Sequence, residues 1–294
     1  MYRGNSLRII LPPRRKSAAL RFHFGRQGVG LEETSETLAS DSLFAALVAE
    51  AAMLSPARGS KGEPSWATPF AEGTPPLRHS SLLPRLGDLV LLPRPLLKLE
   101  GTDVLHETIG KGFKKLRYLS PRLFAAVCAG EQIDAAPLIL QGGKVWISAE
   151  EAGSLREPWR AKPGENERSW RARLAATPIW SVDEVPRVTV DRVSSAAAYY
   201  EVGCVSYAPE AGLALLVRFD APDSKAPFEH LLTLLGESAS AGGAASAMGP
   251  FSYKQKDDLE LTTPQHSSRS VLLSRYIPPD EEIASLRDER ASYQ

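Results

Sequence analysis

Residues 187–235 read RVTVDRVSSAAAYYEVGCVSYAPEAGLALLVRFDAPDSKAPFEHLLTLL. RVTVDRV (187–193) alternates apolar and polar side chains, the period of a strand. AYYEVGCVSY (198–207) and LALLVRFD (213–220) flank Pro209-Glu210-Ala211-Gly212, a turn with glycine where positive φ is wanted. The spacing predicts a hairpin. It then predicts a helix over 227–235, with Pro227 in its first turn and Gly236 past its end.

The same grammar holds upstream. SLRIIL (6–11) reads as a strand ended by Pro12-Pro13, and LRFHF (20–24) as another, closing at Gly25. In SDSLFAALVAEAAML (40–54), Leu43, Phe44, Leu47, Val48, Ala51 and Leu54 mark one helical stripe. Ser40 is its expected N-cap, and Asp41 suits the positive end of the helix dipole. Residues 55–81, rich in Ser, Pro and Gly, read as a long surface loop, and 89–92 as a strand. Ser120, Pro121 and Gly130 frame a short helix over 120–130. A strand is expected at 142–148, and a polar linker over 151–178 with helix at 165–175. Downstream, a Gly/Ala/Ser run fills 236–251, and strands are expected near 251–261 and 270–277. The order predicts an α+β chain of two split β-α-β (ferredoxin-like) domains, 1–183 and 184–294, with the Gly-rich loop in the C-terminal half.

Composition bounds the function. Of 294 residues, 43% are hydrophobic and 24% charged, which excludes a wholly disordered chain. The most apolar stretch, Leu43–Leu54, is too short to span a membrane and contains Glu50. The opening MYRGNSLRIILPPRRK lacks a signal-peptide pattern. Cys128 and Cys204 cannot form a metal knuckle by themselves, and they read as buried thiols of a reducing, cytoplasmic protein. Net charge is zero, but it is unevenly spread. Residues 1–31 carry Arg3, Arg8, Arg14, Arg15, Lys16, Arg21 and Arg26 and no acid. Residues 108–122 carry Lys111, Lys114, Lys115, Arg117 and Arg122, again with no acid. Such segments are either solvated surface or seats for a polyanion.

Catalytic patterns are scarce. The five histidines show no H-x-x-x-H or H-x-E spacing, and no G-x-S-x-G elbow occurs. Neither a metal nor a cofactor is expected. Gly236, Gly242, Gly243 and Gly249 form neither a P-loop nor a dinucleotide fingerprint, so the run is a flexible linker or a backbone phosphate cradle. His23, beside Gly25 in the basic N-terminal segment, is the candidate general base for RNA cleavage.

HFG (23–25) followed by S-E-T-x-x-S-D-S-L-F-A-A-L (35–47) resembles the opening of the Csm-complex RAMP proteins. LVLLPRPLLKL (89–99) and KKLRYLSPRLF (114–124) resemble their middle. VTVDR (188–192), the 198–220 segment and LLGESASAGGAASAMGPF (234–251) resemble their C-terminal half. The likeness is to the fourth Csm subunit of type III-A CRISPR effectors, in the Cas5-like group. It implies two ferredoxin-like (RRM-like, RAMP) domains and a non-catalytic, cytoplasmic subunit without membrane contact. Such a subunit grips the 5′ handle of the crRNA and contacts the large polymerase/cyclase-type subunit and a backbone RAMP subunit. One departure is in the Gly-rich loop, where Ala245 stands at the family's basic position and Pro250 supplies no N–H.

An unpaired handle is read through phosphates, base edges and stacking. The expected RNA-binding residues are His23, Gly25, Arg26, Ser40, Lys114, Lys115, Arg117, Arg192, Gly242, Gly243, Ser246 and Phe251. Phe22, Phe24 and Tyr118 are further candidate platforms. The rival readings are a metal-independent guide-RNA-processing endoribonuclease using His23, and a scaffold that touches protein alone.

Overall fold

The computed structural model describes residues 6–12, 20–25, 30, 33–96, 114–131, 136–191, 193–238, 250–261, 270–278 and 280–287. The chain divides into two units, residues 1–86 with 178–259 and residues 87–177 with 260–294. It is a mixed helix-and-sheet protein of mainly antiparallel sheets.

In the first unit, β1 (Ser6–Leu11) lies between β12 (Ala211–Phe219) and β13 (Lys254–Lys256). β4 (Leu83–Leu86) and β3 (Leu77–His79) pair with β12, so the order is β13-β1-β12-β4, antiparallel throughout, and the two-residue β5 (Leu89–Val90) follows β4 in sequence. Helix α1 (Ser40–Leu54) lies in sequence between β1 and β3, and the helix over Lys225–Ser238, here α6, between β12 and β13. Alternation decides the faces. Ile9, Leu11, Leu213, Leu215, Val217 and Phe219 are buried on one face, and Phe219 meets Phe228 of α6 edge-on at 5.9 Å. Leu43, Leu47 and Ala51 of α1 and Phe228, Leu231, Leu232 and Leu235 of α6 fill that layer. Each such large apolar side chain contributes ~1.5–3 kcal/mol by leaving water.

A second sheet in this unit has the order β10-β11-β2, from Trp180–Val190, Ala197–Tyr207 and Leu20–Phe22. Here the structure corrects the expected hairpin. β11 pairs with β10 over eleven residue pairs and with β2, while β12 joins the other sheet. The turn at 208–210 therefore moves the chain between sheets, and Glu210 takes the positive φ of 62°. The hairpin lies one strand earlier. Its β10 includes the expected boundary between 183 and 184, so that boundary falls inside a strand of the first unit.

Several expected limits move. Ala39, not Ser40, is the N-cap of α1. The 55–81 segment holds a short helix, α2 (Thr68–Ala71), and β3. Phe44 of α1 packs on Phe70 at 4.9 Å and Trp66 at 5.8 Å, which gives that insertion its own apolar anchor. His79 beside them is held below its ordinary pKa by burial. α6 runs on to Ser238, so Gly236 is inside it rather than past its end. β13 is only three residues long, and residues 270–278 form no strand.

In the second unit, β6 (Leu92–Pro93), β7 (Tyr118–Leu119), β9 (Val145–Ile147) and β8 (Leu138–Leu140) form a four-stranded sheet in that order, with β7 and β9 parallel. The expected helix is α3 (Pro121–Ala129), framed by Ser120 and by Gly130 at φ 71°. Its cap is remote. Ser120 donates to Glu151, whose other carboxylate oxygen accepts the Arg122 N–H at 2.9 Å. Glu151 also closes a capping box with Ser148 at the start of α4 (Ala149–Ala152), so one carboxylate serves two helix N-termini. The linker helix is α5 (Glu167–Ala176), capped by the Asn166 side chain. Cys128 and Cys204, expected buried, are half-buried and unbridged, and lie in different units. Among the described residues no helix is long and apolar enough to cross a membrane.

Arg173 of α5 donates to both oxygens of Glu165, at 2.9 and 2.6 Å, and its Nη2 reaches the Arg160 carbonyl at 2.7 Å. The bidentate bond holds Glu165 at about 2, down from 4.5. A depressed carboxylate stabilises the fold above its unfolded pKa and loses that contribution as pH falls through the folded one. The second unit should therefore lose stability between about pH 4.5 and about pH 2. Urea melts across that range should show a shallower acid slope for Glu165→Gln; an unchanged slope would remove the pair from the account.

Candidate nucleic-acid interface

The structure separates the expected binding residues. His23 follows β2 and is half-buried; its Nδ1–H donates to the Gly203 carbonyl at 2.6 Å. Its Nε2 lies 2.9 Å from where a Cβ on Gly25 would stand, so Gly25 leaves room for the ring. The imidazole clips the segment after β2 to β11. That job accounts for a histidine beside a glycine without chemistry. The Phe24 N–H donates to Thr34 Oγ1 at 2.8 Å, and the Ser35 N–H to the Phe24 carbonyl at 3.2 Å, so the same segment is tied on its other side.

Five of the expected positions are withdrawn from solvent. Phe251 is buried, 6.5 Å from Phe22, which stacks on Phe24 at 5.0 Å. These rings, and Tyr118, are core rather than platforms, because each occupies the inward position of an alternating stretch. Ser40 is buried in the first turn of α1, its N–H donated to Ser81 Oγ at 3.1 Å. In the second unit Lys114, Lys115 and Arg117 are exposed, while Leu116 and Tyr118 between and beyond them point inward. Backbone bonds fix Arg117, whose carbonyl accepts from the Arg94 N–H at 2.7 Å and whose N–H donates to Lys144 at 2.9 Å. Arg26, Arg192, Gly242, Gly243 and Ser246 lie outside the described residues. The described flanks of the Gly-rich run meet, since the Phe251 N–H donates to the Gly236 carbonyl at 3.3 Å.

A basic surface that linear reading missed lies on the sheet face opposite the helices. Arg8 is directly across from Lys256, and Arg218 directly across from Arg78. Residues opposite one another, or two apart on a strand, share a face. Arg8, Lys254, Lys256, Arg78 and Arg218 therefore stand on one face, from four strands far apart in sequence. Asp220 binds Arg78 Nε at 3.2 Å and Arg218 Nε at 3.1 Å, which orients both guanidinium groups. These pairs are exposed and stabilise little, so a phosphate can replace the carboxylate at small cost. Leu20 covers the other end of this face at Gly212. In sequence these cations are single Lys and Arg residues in alternating strands, and the register alone assembles them.

Among the described residues no group of three His, Cys, Asp or Glu could hold a metal. No family model matches the chain. No curated protein matches it either. Its fold matches a chain in the crystal structure of the Csm3-Csm4 subcomplex in the type III-A CRISPR-Cas interference complex, with a TM-score of 0.53 at 15% identity over 86% of this chain and 70% of that one. It also matches a chain of the Csm1-Csm4 cassette in complex with cA4, with a TM-score of 0.51 at 17% identity over 92% and 76%. At these identities the likeness is one of fold: the α+β fold seen in type III-A Csm assemblies.

Proposed function

We propose that this chain is the Csm4-type RAMP subunit of a type III-A CRISPR ribonucleoprotein. In this reading it is a non-catalytic cytoplasmic subunit that holds the 5′ handle of the crRNA. It also links the large polymerase/cyclase-type subunit to the backbone filament. The observation that carries the reading is a fold shared with chains of two Csm assemblies along 86–92% of the sequence. The first unit supports it further: its β1-α1-β4-β12-α6-β13 path, with the sheet order β13-β1-β12-β4, is a split β-α-β arrangement of ferredoxin-like type. The open sheet face, with Arg8, Arg78, Arg218, Lys254 and Lys256, is a suitable seat for handle phosphates. Lys114, Lys115 and Arg117 add an exposed basic segment in the other unit.

End-labelled guide RNA with an authentic or scrambled handle tests this, with native gels for binding and denaturing gels for cleavage. The expected outcome is handle-dependent binding of intact RNA. Site-specific cleavage that His23→Ala abolishes would replace the reading with an endoribonuclease, and absence of RNA affinity would leave a protein scaffold. A second prediction concerns Lys114→Ala with Lys115→Ala. Removing two phosphate contacts should flatten the plot of log affinity against log salt by about 1.4 for a single strand. An unchanged slope would take this segment out of the interface.

A further inference from the structure

The β10–β11 ribbon leaves its core at Trp180 and Tyr207 and carries an apolar face into solvent. Cross-strand partners on that face are Glu184 with Gly203, Pro186 with Glu201, Val188 with Tyr199, and Val190 with Ala197. Val188, Val190 and Tyr199 are 60%, 58% and 65% exposed, and Val193 at the tip is 95% exposed. A contiguous apolar patch of this kind marks an interaction surface rather than scattered surface residues. The opposite face differs, with Arg187 across from Tyr200.

We infer that the Val188–Val190–Tyr199 face docks a partner protein whose contact surface is apolar with a Lys or Arg placed over Glu184 and Glu201. Three observations select that occupant. Two carboxylates stand at the foot of the patch, and the Tyr199 hydroxyl donates to Glu201 at 2.6 Å, a bond that favours its charged form. This charge repels a phosphate backbone and attracts a cationic side chain. From Trp180 to Val190 and Ala197 to Tyr207 the residues of this face include no Lys or Arg, so a second copy laid against it would meet like charge. Pro186 gives β10 no N–H at mid-length, which blunts edge-to-edge strand addition and leaves the face as the docking element.

The inference rests on the proposed membership in a Csm-type assembly, which supplies the probes. The full-length chain is titrated calorimetrically with a purified backbone RAMP subunit, with the large polymerase/cyclase-type subunit, and separately with handle RNA. Val188→Ser with Val190→Ser, and Glu184→Lys with Glu201→Lys, should each weaken binding to the same protein subunit by about tenfold or more. The Ser variant should bind handle RNA within about twofold of wild type. Matching thermal melts exclude misfolding as the cause. If wild type binds a subunit and neither variant changes that affinity, this inference fails while the assembly reading stands. If the Ser variant loses RNA affinity and keeps protein affinity, the face is an RNA contact and the inference fails. If wild type binds neither subunit, both readings fall.

Discussion

Gly236→Ala should destabilise the chain by about 1 kcal/mol and lower its thermal midpoint by about 3 °C. Two effects of opposite sign compete at this site. In an open helix, Gly to Ala gains about 1 kcal/mol from backbone entropy. Here a Cβ would come well inside 3.0 Å of the Phe251 carbonyl oxygen, and within 3.2 Å of Phe251 Cδ2 and Cε2. The oxygen is backbone, so relief requires displacing the segment that donates the Phe251 N–H to Gly236. Overpacking of that kind costs ~1–3 kcal/mol, more than the propensity gain. Differential scanning calorimetry decides it. A raised midpoint would mean that the Phe251 segment yields freely and that this close approach does not hold α6 against it.

Removing four cations from the open sheet face should cost about hundredfold in affinity for handle RNA at low salt, as expected for several charge-assisted contacts. The variant is Arg78→Ala, Arg218→Ala, Lys254→Ala and Lys256→Ala. All four side chains are exposed, so the fold should tolerate the change. The logarithmic salt slope should also fall by about 3 if each cation meets one phosphate of a single strand. Asp220→Asn is the complementary test. Asp220 competes with phosphate for both arginines, so its neutralisation should raise RNA affinity by about threefold. Filter binding across a salt series reads both results. If the quadruple variant keeps its affinity and slope, the sheet face is not the RNA seat, and the basic segment at Lys114–Arg117 becomes the stronger candidate.

Local signals were legible where the deciding physics is local. The α1 stripe, the Pro121–Gly130 helix frame and the strand at 6–11 follow from periodicity and capping residues a few positions apart. The 198–220 segment misled because turn residues specify that the chain reverses, not which neighbour each strand takes. β11 found β10 and β2, and β12 found β1, β3 and β4, through burial choices made across the whole unit. The interface shows the same divide. Lys114, Lys115 and Arg117 stood out as an acid-free run. Arg78, Arg218, Lys254 and Lys256 did not, since only pairing between distant strands gathers them. Aromatic type alone could not separate a stacking platform from core, and for Phe22, Phe24, Tyr118 and Phe251 the structure assigns core.

The pairing of Ile9 with Leu215, inside a sheet that also needs Lys254–Lys256, sets a timetable for the newborn chain. β1 leaves the ribosome long before either of its sheet neighbours, β12 and β13. At ~5–20 residues per second it waits roughly ten to forty seconds for β12 to be synthesised. Throughout that interval SLRIIL is an apolar strand with two open edges, the kind of segment that chaperones hold and that aggregates when they do not. A fragment ending at residue 183 would keep β1 in that condition permanently, so expression trials are best designed around the whole chain, with the ribosome's pace as one of their variables.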